Sequence, residues 1–154
     1  MTLHLICDVS GSMSESGKPF IMRTLVTSVA QWILYGYGHA KVNLWAWGAE
    51  AQRISDWSPG CEFPLEFFSC AGTTNSSSLI QSLGRKFEGK VLLLTDGFWS
   101  RDDKRILKKW KNSLPSDTLR IIKIGADADT QIKGSEIFSP DDLFAALDGW
   151  FQKA

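Results

Sequence analysis

The 154-residue chain has no run approaching the ~20 apolar residues that a membrane span needs, which excludes an integral helical membrane protein. Net charge is also missing, since 17 Lys and Arg cancel 17 Asp and Glu. A balanced surface gives no general attraction to nucleic acid or anionic lipid, so neither is expected as a partner. Histidine occurs only twice, at His4 and His39, and cysteine three times, at Cys7, Cys61 and Cys70. That set makes neither a zinc pattern nor a disulfide framework, and an odd cysteine count favours free thiols in a reducing compartment. The amino-terminal apolar run is too short for a secretion signal and has no basic flank, so the expected location is the cytoplasm. Repeats, linkers and low-complexity tracts are absent too. The expectation is one domain over residues 1–154, large enough to bury a core without staples.

Chemistry is concentrated in three short segments. Leu3-His4-Leu5-Ile6-Cys7 reads as a buried strand and runs directly into Asp8-Val9-Ser10-Gly11-Ser12. A carboxylate and two hydroxyls at alternate positions are thereby delivered where a strand ends. In open parallel sheets that is where ligands bind. Gly72-Thr73-Thr74-Asn75 offers a further hydroxyl, and Leu94-Thr95-Asp96-Gly97 a second strand-end carboxylate. Oxygen-only donors suit a hard cation such as Mg2+ or Mn2+. Each segment alone has a plainer reading, as Asx turns and helix caps. Three of them converging on one sheet edge do not.

On these segments the chain resembles the von Willebrand factor A family and its metal-ion-dependent adhesion site, Asp-x-Ser-x-Ser, then a loop Thr, then a strand-end Asp. The resemblance implies Asp8, Ser10, Ser12, Thr73 and Asp96 as the metal set. Thr73 is taken over Thr74, one register on, because Leu79 then falls six positions later, where the family has an apolar residue. It also implies an α/β fold: a doubly wound, mostly parallel open sheet in the order 3-2-1-4-5-6, with helices on both faces. In the family the ion stays partly hydrated and is completed by a partner's Asp or Glu. Small members of this kind work in microbial multi-protein systems, with MoxR-type AAA+ ATPases or with kinases and phosphatases.

Hydrophobic periodicity supplies the elements independently. Ile21, Met22, Leu25, Val26, Val29, Trp32 and Ile33 predict a helix over 18–35 that Gly36 and Gly38 end. Strands are expected at 42–47 and 51–55; the tight turn between them makes the second an antiparallel edge. Residues 56–72 read as irregular, with one helical turn at 64–69, and residues 76–87 as a short helix. Val91–Leu94 is a fully buried strand, Ser100 caps a helix through 113, and 119–124 and 135–138 are the last strands. Ser139-Pro140-Asp141-Asp142 opens a final helix with a capping-box pattern, carrying Leu143, Phe144, Leu147, Trp150 and Phe151 on one face. The family's helix between the last two strands has little room in 125–134, so a trimmed loop is expected there.

Phe98 and Trp99 follow Asp96-Gly97 on the rim and are the candidates for partner contact. Trp57, Phe63, Phe67 and Phe68 read as loop aromatics folded back onto the core. Arg101, Lys104, Arg105, Lys108, Lys109 and Lys111 make a basic helix face, usually a solvated one. The function expected is a metal-dependent protein-interaction module without catalysis. Its competitor is a Mg2+-dependent phosphohydrolase using Asp8 and Asp96, which would normally gather a third acid; Glu15, Asp102 and Asp103 are the nearest in sequence.

Overall fold

The computed structural model describes residues 1–36, 40–84, 86–125, 128–129 and 133–151. Gly38, read above as one of the residues that end the first helix, lies outside these residues, as do His39 and half of the connection 125–134.

In chain order the elements are β1 (Thr2–Asp8), α1 (Lys18–Gly36), β2 (Lys41–Trp47), β3 (Ala51–Arg53), α2 (Ser76–Leu83), β4 (Lys90–Thr95), α3 (Arg101–Ser113), β5 (Leu119–Lys123), β6 (Ile137–Phe138) and α4 (Leu143–Leu147). They form one six-stranded sheet in the order β3-β2-β1-β4-β5-β6. All pairings are parallel except β2 with β3, the expected antiparallel edge. No helix among the described residues is long and apolar enough to cross a membrane.

Strand alternation divides the interior. Leu3, Leu5, Cys7, Leu44, Leu92, Leu94 and Ile122 pack with the α1 and α4 side chains Met22, Val26, Val29, Leu143 and Leu147. Ile6, Trp45, Trp47, Val91, Leu93 and Ile121 pack with Leu79, Leu83, Leu107 and Trp110 from α2 and α3. Both faces of the central strands are therefore covered, which is why β1 and β4 read as unbroken apolar runs. Trp57 is part of the first core, with Phe63, Phe67 and Phe68 packed against it, as the folded-back reading expected.

Two helices are shorter than the sequence reading. The helix expected over 76–87 stops at Leu83, where Gly84 takes φ 82°, a left-handed conformation that ends helices readily. Phe87 instead lies edge-on to His4, ring centroids 5.5 Å apart. The last helix is also shorter than its apolar pattern: a 3-10 turn at Pro140–Asp142 leads into α4. The Trp150 indole N–H donates to the Asp117 carbonyl oxygen at 2.8 Å, and its ring lies under the Arg120 guanidinium. That anchor draws the chain out of the helix. Phe144, within α4, is solvent-exposed, and Ser139 donates to the Asp142 carboxylate without capping the backbone.

His4 sits in β1 with its Nε2 3.2 Å from the Glu88 carbonyl oxygen, while its buried Nδ1 has no hydrogen-bond partner. Protonation would bury an orphan donor. Burial is the main cause that holds its pKa below the ordinary 6.5, with the Arg53 charge adding and the Glu88 bond opposing. A base whose folded pKa is depressed contributes stability that is intact above the unfolded value and lost as pH falls below it. Urea midpoints should therefore drop as pH is lowered from 6.5 toward the folded value, and His4→Phe should flatten that part of the profile. Parallel slopes for the two proteins would contradict this account.

Candidate metal centre

β1 and β4 are neighbours, and their register pairs Cys7 with Leu94, so Asp8 and Asp96 leave the same sheet edge from adjacent strands. Both carboxylates are buried. Asp8 Oδ1 accepts from the Ser10 backbone N–H at 2.8 Å, and its Oδ2 from the Thr95 hydroxyl at 2.6 Å. Asp96 Oδ1 accepts from the Phe98 N–H at 3.1 Å. The Ser10 and Ser12 hydroxyls lie 3.4 Å apart in the loop after β1, where residues 11–14 form a 3-10 turn.

Backbone bonds dock the threonine loop on the ends of β1 and β2. Ala71 N–H donates to Val9 O, Gly11 N–H to Gly72 O, and Asn75 N–H to Gly48 O, all at 2.9–3.0 Å. The Trp47 indole donates to Asn75 O, and the Asn75 side chain caps α2. This brings residues 71–75 alongside the Ser10–Ser12 loop, with Thr73 exposed and Thr74 buried.

Burial raises the Asp8 carboxyl above its usual range; the Ser10 and Thr95 bonds oppose this and the nearby Asp96 charge adds to it. Cys70 feels the same field: burial first, then Asp8 and Asp96, raise its thiol. A pair of desolvated carboxylates with hydroxyls alongside is an environment a hard cation stabilises, so the donor chemistry fits Mg2+ or Mn2+. Among the described residues no three Cys, His, Asp or Glu side chains gather into a metal centre. Asp103 is spent on Ser76, accepting from its N–H at 3.0 Å, and Asp102 pairs with Arg105 on the surface.

One residue was not anticipated. Lys18, the first residue of α1, is 0% exposed; its ammonium lies 3.1 Å from Asp96 Oδ2 and donates to Ser12 O at 3.2 Å. The Phe98 ring stands 5.4 Å from the same Nζ. The signal was present: Lys18 heads the buried stripe of α1, followed by Met22, Leu25, Val26, Val29 and Ile33 at helical spacing. A lysine at a helix start beside Pro19 and Gly17 reads as solvated, and its charge masks the stripe it belongs to.

The two rim aromatics separate. Phe98 is 45% exposed, whereas Trp99 is turned in against Trp47, ring centroids 6.1 Å apart. The basic face of α3 is partly neutralised at home, Lys104 with Asp129, Lys111 with Glu136 and Arg105 with Asp102.

No family model and no curated protein matches this sequence. Solved structures do match. The ArnB paralog VWA2 from Sulfolobus acidocaldarius superposes over 100% of this chain and 45% of its own, at TM-score 0.59 and 16% identity. The conserved hypothetical protein BatB from Bacteroides thetaiotaomicron matches over 79% of this chain and 64% of its own, at TM-score 0.51 and 12% identity. The chain thus spans less than two thirds of each, and the likeness extends to the fold.

Asp96→Asn should be costly, because it strands a buried ammonium. The expected loss is about 3–5 kcal/mol of unfolding free energy. Denaturant titration checks it; a loss below about 1 kcal/mol, the size of a surface pair, would mean the Lys18–Asp96 pair is not desolvated.

Proposed function

For a chain with the von Willebrand A-type fold, we propose a divalent-cation-dependent protein-interaction module that recognises an Asp or Glu side chain on a partner protein. Asp8, Ser10, Ser12, Thr73 and Asp96 are the residues that would hold Mg2+ or Mn2+. When bound, the ion supplies a coordination position that an outside carboxylate can fill. The observation that carries this reading is the pair of buried carboxylates at one sheet edge, with the Ser10 and Ser12 hydroxyls 3.4 Å apart beside them.

The chain's own residues shape the rest. Thr95 and the Ser10 N–H fix the two oxygens of Asp8, and the Phe98 N–H fixes one oxygen of Asp96, so the carboxylates are oriented before any ligand arrives. The exposed Phe98 ring offers apolar contact that excludes water around a docked acid. MoxR-type AAA+ ATPases, kinases and phosphatases stay the partner classes implied by resemblance, and the three free thiols suit a reducing, cytoplasmic setting.

The phosphohydrolase alternative draws no support from the site. Glu15, Asp102 and Asp103 do not join Asp8 and Asp96 in a three-acid cluster, and His4 is engaged by the Glu88 carbonyl oxygen of the loop before β4.

Metal binding, partner capture and rim substitutions test the reading. Isothermal titration calorimetry should show Mg2+ or Mn2+ binding that Asp8→Ala abolishes, and partner capture that chelator reverses; unchanged metal binding in Asp8→Ala would remove the site assignment. Phe98→Ala should weaken partner binding by about 1–3 kcal/mol with little change in melting temperature. Trp99→Ala should do the reverse, lowering the melting temperature because its ring packs on Trp47. A binding loss confined to Trp99→Ala would place recognition elsewhere.

A further inference from the structure

A buried lysine needs a reason. An ammonium withdrawn from water is tolerated where fixed oxygens surround it, and Lys18 has found them at the sheet edge where Asp8 and Asp96 are buried. Its bonds join two separate segments. The acceptor Ser12 O belongs to the loop that carries the Ser10 and Ser12 hydroxyls, and the acceptor Asp96 Oδ2 belongs to the end of β4. Those are two of the segments that a divalent cation at this centre has to bridge. The ammonium therefore performs, in part, the electrostatic work of a metal: it compensates a buried carboxylate and ties the serine loop to the strand.

Local structure brings it there. Ser16 and Gly17 take left-handed φ values of 55° and 74°, and α1 then begins at Lys18 with its side chain on the buried stripe. Phe98 covers the ammonium from the solvent side, its backbone N–H holding the other oxygen of Asp96. Asp8, by contrast, is held by uncharged donors from Ser10 and Thr95, and its carboxyl remains raised by burial. The pair is thus unevenly compensated, with an ammonium on Asp96 and amide and hydroxyl donors on Asp8.

We propose that Lys18 is the resident cation of this centre, competing with the divalent ion: its ammonium holds Asp96 in the metal-free protein and has to withdraw for Mg2+ or Mn2+ to bind. Two positive charges sharing one desolvated carboxylate repel, so each form excludes the other. Two consequences follow. The fold does not depend on metal, because the site carries its own counter-ion. Metal affinity is set low, and binding is coupled to a movement of Lys18 from beneath Phe98, the residue at the partner-facing rim. This rests on the metal reading above.

The experiment uses the full chain and the variants Lys18→Gln and Lys18→Met, titrated with MgCl2 and MnCl2 by calorimetry. Both variants should bind at least about tenfold more tightly than the parent, the effect of one logarithmic unit of removed repulsion. The parent's melting temperature should be indifferent to chelator, and a given Mn2+ concentration should raise the variants' more than the parent's. A labelling measurement on the parent needs no substitution: brief acetic anhydride treatment read by mass spectrometry should leave Lys18 unmodified without metal and modify it at saturating Mn2+, with the exposed Lys108 as internal reference. If the variants fold only with Mn2+ present, that itself supports the proposal. Equal affinities in all three proteins, with Lys18 protected throughout, would overturn it and leave the metal reading standing. Absence of metal binding in the parent and both variants would overturn the metal reading and this proposal together.

Discussion

Two carboxylates buried on adjacent parallel strands repel each other, and each loses favourable hydration on leaving water. The region around Asp8 and Asp96 is organised as the answer to that one constraint. β1 and β4 are held by their ladder, so the acids cannot separate. Compensation must come from the surroundings, and it does: a hydroxyl from Thr95, backbone donors from Ser10 and Phe98, and the Lys18 ammonium. Removing one partner of such a group costs more than the bond's net stabilisation, since the stranded charge keeps its desolvation penalty.

The same constraint explains why the loops are so firmly docked. Residues 71–75 bond to the ends of β1 and β2 through their backbone, and Ser76 at the head of α2 is tied to Asp103 at the head of α3. The 71–75 loop is thereby kept alongside the Ser10–Ser12 loop without a ligand to hold it. Preorganisation of this kind lowers what a ligand must spend on ordering the site. The two interior faces underneath, one built on α1 and α4 and the other on α2 and α3, supply the rigidity on which those short bonds rely.

Much of this was legible in the sequence. Strand order and the antiparallel edge followed from apolar runs, turn chemistry and the family resemblance, and the placement of Asp8 and Asp96 followed from the strands they terminate. The misses share a cause, in that a local pattern was overridden by a tertiary contact. Phe87 looked like the end of a helix and is instead packed against His4, beyond the break at Gly84. Trp150 continued a helical stripe, yet its indole bond to Asp117 and the Arg120 stack take it out of the helix. Lys18 is the instructive case, because its position on the α1 stripe was visible while its charge argued against burial. Composition rules place lysine outside; only a buried acid beneath it reverses that expectation.

If the centre takes an ion and an outside acid as proposed, selectivity is a question of the rim. Exchanging one oxygen ligand of a hydrated cation for another gains little and distinguishes poorly among acidic surfaces, so affinity and choice of partner must arise from what flanks the acid. The basic helix α3 is a weak candidate, since Lys104, Lys111 and Arg105 already serve Asp129, Glu136 and Asp102. Phe98 is the stronger one, because it does two things at once. Its backbone holds Asp96, and its ring lies over Lys18 while presenting exposed apolar surface. Any displacement of the ammonium must therefore disturb the ring that a partner would touch. On the proposed reading, ion occupancy and the shape of the rim would be linked through that one residue.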